Sequence, residues 1–184
     1  MKRSVLLAVA LTLALTSASR AEGLFETYSF SLGLGSAVAV EPEEFKDAYN
    51  PAFGFMLSFG AQKGLVELAV DFDYNFFMLQ ETSSITPNDV NILNIFLMAR
   101  IKPIKSKARP YLLLGGGYYR YWIVNENLVE NVLGYTGGVG FEAELSKRQR
   151  IFFEVRVTQG QTRDNPSKEN TVTVPGRLGL TWVF

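Results

Sequence analysis

The chain has 184 residues, enough for one domain, with a formal net charge of zero, 47% hydrophobic residues, 13% aromatic residues and 16 glycines. The balanced charge gives no ground for nucleic-acid binding, and the absence of cysteine excludes disulfides, thiolate chemistry and cysteine-linked lipid anchors. Histidine is also absent, which removes the commonest general base and metal ligand.

The first predicted element is a signal peptide. Lys2 and Arg3 form a positive n-region, Val5 to Leu15 is an apolar run broken by Thr12, and Ser19-Arg20-Ala21 supplies small residues for cleavage. The run is shorter than the roughly 20 apolar residues a membrane-spanning helix needs. The expected division is therefore a cleaved leader over 1–21 and a mature domain over 22–184. Losing Lys2, Arg3 and Arg20 leaves 15 basic against 18 acidic residues, a mildly acidic chain. Beyond residue 21 no apolar stretch approaches helix-spanning length.

The mature chain alternates with period two, the mark of strands. Tyr28, Phe30, Leu32 and Leu34 oppose Ser29, Ser31, Gly33 and Gly35 in a first segment running to Val40. Phe53, Phe55, Leu57 and Phe59 oppose Gly54, Met56, Ser58 and Gly60 in a second. After a tight Gln62-Lys63-Gly64 turn, Val66, Leu68, Val70, Phe72 and Tyr74 oppose Glu67, Ala69, Asp71, Asp73 and Asn75. A fourth segment sets Leu93, Ile95, Leu97, Ala99 and Ile101 against Asn94, Phe96, Met98 and Arg100. The fifth, Pro110 to Trp122, is ambiguous where Leu112, Leu113 and Leu114 run together, and Leu112, Leu114 and Tyr118 are taken as outward. Tyr135, Val139, Phe141, Ala143 and Leu145 oppose Thr136, Gly138, Gly140, Glu142 and Glu144 in the sixth. Ile151, Phe153, Val155 and Val157 oppose Phe152, Glu154, Arg156 and Thr158 in the seventh. The eighth places Val172, Val174, Leu178, Leu180, Trp182 and Phe184 against Thr173, Arg177, Gly179 and Thr181.

Eight strands predict an all-β fold, a closed eight-stranded antiparallel up-and-down transmembrane β-barrel. Connections after strands two, four and six are compact, whereas Glu41–Asn50, Gln80–Asn91 and Gln161–Asn170 are long and polar. Short turns at one end and longer external loops at the other are the asymmetry of outer-membrane barrels. Polarity separates this from a soluble ligand-binding barrel. The minor face is rich in Gly, Ser, Ala and Thr, which suit a narrow interior and make a poor water-facing surface. Lipid tolerates no unpaired backbone, so such a sheet must close on itself. Tyr49, Phe76, Phe77, Tyr121 and Trp122 at one end, with Tyr28, Phe59, Trp182 and Phe184 at the other, read as two interfacial girdles.

The sequence resembles the small outer-membrane β-barrel family that includes the OmpA transmembrane domain and the OmpX-like eight-stranded barrels. The residues that carry the resemblance are Arg109-Pro110-Tyr111-Leu112 leading into Gly115-Gly116-Gly117-Tyr118, then Gly134-Tyr135 and Gly138-Val139-Gly140-Phe141-Glu142, and the closing Gly179-Leu180-Thr181-Trp182-Val183-Phe184. The resemblance implies location in the outer membrane of a Gram-negative cell. It also implies that Trp182 and Phe184 form the signal read by the outer-membrane assembly machinery.

The predicted lumen carries Glu67, Asp71, Asp73, Glu142, Glu144 and Glu154 with Arg100, Arg156 and Arg177. Charges in so narrow an interior are costly unless paired, so a polar plug of ion pairs is the first expectation. The alternative is a narrow porin-like channel for small cations or solutes, since six acids against three arginines would favour cations. Three carboxylates at 67, 71 and 73 could in principle serve hydrolysis or a divalent cation, but without histidine no catalytic site, metal site or cofactor is expected. The short turns read as basic through Lys63, Lys102, Lys105, Lys107, Arg109, Lys147 and Arg148, with Arg150 adjoining. The loops carry ten acidic residues against Lys46, Arg163 and Lys168. The expected partners are outer-membrane lipid, lipopolysaccharide and the assembly machinery, with no nucleic acid. The loop partner is undefined, the chain is expected to be monomeric, and its function is structural or surface recognition, in envelope integrity or adhesion.

Overall fold

A computed structural model describes residues 24–80, 89–104, 106–123, 129–160 and 170–184. The leader expected over 1–21 lies outside the described residues. The remainder forms β1 (Thr27–Glu41), α1 (Glu43–Ala48), β2 (Ala52–Lys63), β3 (Val66–Phe77), β4 (Val90–Ile101), β5 (Ala108–Ile123), β6 (Val129–Ser146), β7 (Gln149–Gly160) and β8 (Thr171–Val183).

The eight strands pair antiparallel in sequence order, and β8 returns to β1 to close the barrel. The closing ladder runs from Ser29↔Val183 to Val38↔Val174 and leaves neither strand with a free edge over that length. The tight turn between β2 and β3 is set by register. Lys63 pairs with Val66, so Gly64 and Leu65 alone make the connection, and Gly64 takes φ 61°, a conformation side chains rarely adopt.

Side chains alternate as the period-two pattern requires. Leu34, Phe53, Leu97, Leu114, Val139, Phe153 and Leu178 are exposed on the outside, Leu97 at 65%. Arg177 and Glu154 are fully buried inside. The ambiguous strand resolves the same way, with Leu112 and Leu114 outward and Tyr111, Leu113 and Tyr119 buried inward. A continuous apolar outer wall around a buried charged interior inverts the soluble barrel arrangement, and a patch this large marks a surface that meets lipid or another apolar phase.

Two features depart from the sequence reading. The first loop contains α1, a six-residue helix, in place of a plain polar loop. Phe45 and Ala48, three residues apart, share its inner face and are both buried, so tertiary burial holds a segment too short to be helical alone. The loop-side girdle is also smaller than expected. Phe77 is fully buried in the lumen, and Tyr49 and Tyr121 pack on Phe45 with ring centroids 4.8 and 6.0 Å away. Trp122 stays with the belt, packed on Tyr74 at 6.0 Å. At the turn end Phe30 lies between Phe59 and Trp182, at 5.1 and 5.8 Å.

Candidate functional site

The barrel interior is the place where the strands bring many ionisable groups together, and it is stratified. Nearest the loops it is apolar. Phe45, Phe77, Val90, Ile92 and Tyr119 are buried there with Ala37 and Ala52, and Phe45 lies 5.2 Å from Phe77. This layer adds an apolar tier to the polar plug expected of the lumen. Inward parity does place Phe77, Val90, Ile92 and Tyr119 there, but Phe45 arrives from a loop and no strand pattern announces it.

Below this stopper β8 sends Arg177 across to β3. Its Nε and Nη2 donate to the two oxygens of Asp73 at 3.0 and 2.8 Å, and Nη2 also donates to Asn75 Oδ1 at 2.5 Å. Its Nη1 donates to the carbonyls of Ser36 and Gly176 at 3.1 and 3.0 Å. Every nitrogen of the guanidinium fork meets an acceptor, which is what a buried charge needs.

The central tier joins opposite walls. Arg156 on β7 donates to Asp71 on β3 at 2.5 Å and forms a short contact with Glu154. Arg100 on β4 donates to Asp71 at 2.7 Å and to Ser58 at 3.1 Å, and Tyr111 Oη donates to Glu154 at 2.9 Å. Glu67 lies directly across from Arg100 in the β3–β4 ladder and accepts from it at 3.2 Å. These bonds tie β2, β3, β4, β5 and β7 together across the middle of the cylinder. A cavity of about 10 Å³, room for about one water, lies on the turn side of this tier, lined by Glu67, Arg100, Tyr111 and Glu154 with Lys102 and Glu142.

The turn-side tier corrects the sequence reading. Lys102, expected as a basic turn residue, is 3% exposed and donates to Glu67 at 2.5 Å and Glu142 at 3.1 Å. Arg109 and Arg150, also assigned to the turn surface, point inward to the same Glu142 at 2.8 and 3.4 Å. Parity identifies them, because Lys102 continues the Arg100 face two residues on and Arg109 is the register partner of Glu142. Conversely Glu144, expected within the network, is exposed at the mouth. The remaining expected residues, Glu67, Asp71, Asp73, Arg100, Glu142, Glu154, Arg156 and Arg177, are all buried together.

The charge count changes accordingly. Five buried carboxylates face four buried cations, with Arg109 and Arg150 half-buried behind them. The acidic excess that would have favoured cation passage is absent among the described residues, and each of these carboxylates is engaged by at least one cation.

No protein-family model and no curated protein matches the sequence. Solved structures do match in shape. Neisserial surface protein A superposes with a TM-score of 0.63 at 14% identity, over 85% of this chain and 95% of that one. A major outer membrane protein from Thermus thermophilus gives 0.57 at 15% identity, over 86% and 99%. The attachment invasion locus protein Ail of Yersinia pestis gives 0.55 at 15% identity, over 88% and 100%. With an apolar outer wall, a charged packed interior and closure of β8 on β1, the chain has the fold of the small eight-stranded outer-membrane barrels.

Proposed function

We propose that this chain is an integral outer-membrane protein whose barrel is a closed, non-conducting anchor, and whose working surface is its set of loops. The observation that carries this reading is the double closure of the lumen. An apolar stopper around Phe45 and Phe77 fills the loop side, and a cross-barrel ion network centred on Asp71 fills the middle. An ion crossing this interior would have to break buried pairs, each strongly destabilising to disrupt, and then pass an apolar layer that offers no replacement for its hydration. The carboxylates are engaged in ion pairs, which supports a structural role for them over hydrolysis or cation transport.

Outer-membrane residence is supported by the exposed apolar wall and the shared fold, and Trp182 and Phe184 at the end of β8 are the residues we assign to recognition by the assembly machinery. The loop segments carry seven more acidic than basic residues, ten against three. Such loops suit divalent cations bridging to lipopolysaccharide, or a basic partner surface, in envelope integrity or adhesion. Planar-bilayer recording of refolded protein, together with outer-membrane fractionation and heat-modifiable gel mobility, tests the reading. The expected result is an unboiled form of distinct mobility in the outer-membrane fraction and no conductance steps. Reproducible single-channel currents would overturn the closed-anchor reading.

A further inference from the structure

The ionic tiers differ in balance, and the imbalance lies at one end. Asp73 and Arg177 cancel in the upper tier, as do Asp71 and Glu154 against Arg100 and Arg156 in the centre. At the turn-side end the charged side chains of the described residues are Lys63, Lys102, Lys107, Arg109, Lys147, Arg148 and Arg150 against Glu26, Glu67, Glu142 and Glu144, seven basic against four acidic side chains. The surplus converges: Arg109 and Arg150 both lean on Glu142, which also accepts from Lys102, itself divided between Glu67 and Glu142.

That convergence borders open space. A vestibule of about 490 Å³ occupies the turn-side mouth, and its wall carries Lys107, Arg109 and Arg150 together with Ser106 and the two carboxylates of Glu26 and Glu144. The two carboxylates are exposed and water-screened, whereas the arginine side chains are 12% and 15% exposed, so the arginines act through a lower local dielectric. Arg109 Nε is buried and has no hydrogen-bond partner among the described residues. One carboxylate, shared with Lys102, cannot saturate two guanidinium forks. The mouth therefore has unused donor capacity, a positive potential and room for a small anion.

We propose that the turn-side vestibule is a binding site for a phosphate oxyanion, held by Arg109 and Arg150 with Lys107 and Ser106 at its rim. Guanidinium pairs match the tetrahedral oxyanion by two parallel N–H···O bonds, which a point ammonium cannot do. The phosphate could be free in solution or carried on the headgroup of an anionic phospholipid at the turn-side leaflet; the chemistry at Arg109 and Arg150 is the same. This site lies at the end of the barrel opposite the loops and does not depend on what the loops recognise.

The test uses the full mature chain refolded in phosphatidylcholine nanodiscs at low ionic strength, titrated calorimetrically with inorganic phosphate. Saturable one-site binding is expected, weakened at least tenfold by Arg150→Gln and by Arg109→Gln, and unchanged by Lys46→Gln on the loop side. Heat-modifiable mobility of each variant checks that the barrel has closed. Repeating the titration with phosphatidylglycerol in the discs distinguishes the sources. A lipid-borne phosphate competes and lowers the apparent affinity of the wild type but not of Arg150→Gln, whereas a soluble one leaves it unchanged. Absence of saturable binding, or binding indifferent to both arginine variants in closed barrels, overturns the proposal.

Discussion

Replacing Arg177 with Met tests whether the lumen is held by charge or by packing. The substitution keeps an unbranched apolar stem, two atoms shorter than arginine, and removes the guanidinium from a fully buried site. Asp73 then loses bonds at 3.0 and 2.8 Å and keeps the Asn75 Nδ2 donor at 2.5 Å. Two lost charge-assisted bonds at about 1.5–3 kcal/mol each, and a stranded carboxylate, place the cost at about 3–5 kcal/mol. Since about 1.4 kcal/mol is a factor of ten, the unfolding equilibrium should move by about two to three and a half decades. Urea titration of the protein in phosphatidylcholine vesicles, read by emission of Trp122 and Trp182, measures it. Asp73→Asn combined with Arg177→Met removes both charges and should cost clearly less than the sum of the two single changes, because neither leaves an unpaired ion. A single-variant loss below about 1 kcal/mol, or strict additivity of the pair, would refute the claim that this bond holds β8 to β3 across the barrel.

The same geometry sets other outcomes. Lys102→Met should destabilise the barrel by about 3 kcal/mol because Glu67 and Glu142 both lose a buried partner, while Lys63→Met on the exposed turn should stay within about 0.5 kcal/mol; comparative urea midpoints check the pair. A Cβ at Gly179 would lie 2.0 Å from the Leu32 carbonyl oxygen across the closing seam, so Gly179→Ala should lose the heat-modifiable form. Phe45→Ala should cost about 3 kcal/mol as a large-to-small change at a buried aromatic, yet remain non-conducting in planar bilayers, since the ion network beneath Phe45 is untouched. Currents from that variant would locate the seal in the loop helix alone.

Much of the site was legible from parity. Each strand exposes its apolar set and hides its polar set because successive side chains leave opposite faces, so Asp71, Asp73, Arg100, Glu154, Arg156 and Arg177 could be assigned to one interior from the order of residues. At the strand ends, parity and position along the chain conflict. Lys102, Arg109 and Arg150 sit beside short turns and read as turn charges, although their alternation points inward. Glu144 has inward parity, yet it sits at the end of β6 where the barrel opens, and depth along a strand is invisible to a period-two pattern.

The order of residues alone determined the strand count, the closed antiparallel topology and which face meets lipid, because these depend on local periodicity and on the need to pair every backbone group in an apolar phase. Partner choice inside the cylinder was decided by tertiary structure. Arg177 stands opposite Glu154 in the β7–β8 ladder but bonds Asp73 across the lumen, and Phe45 joins the strand residues of the apolar layer from a loop helix. Such contacts depend on barrel curvature and stagger, which set the distance between non-neighbouring strands and leave no trace in the alternation along any one of them.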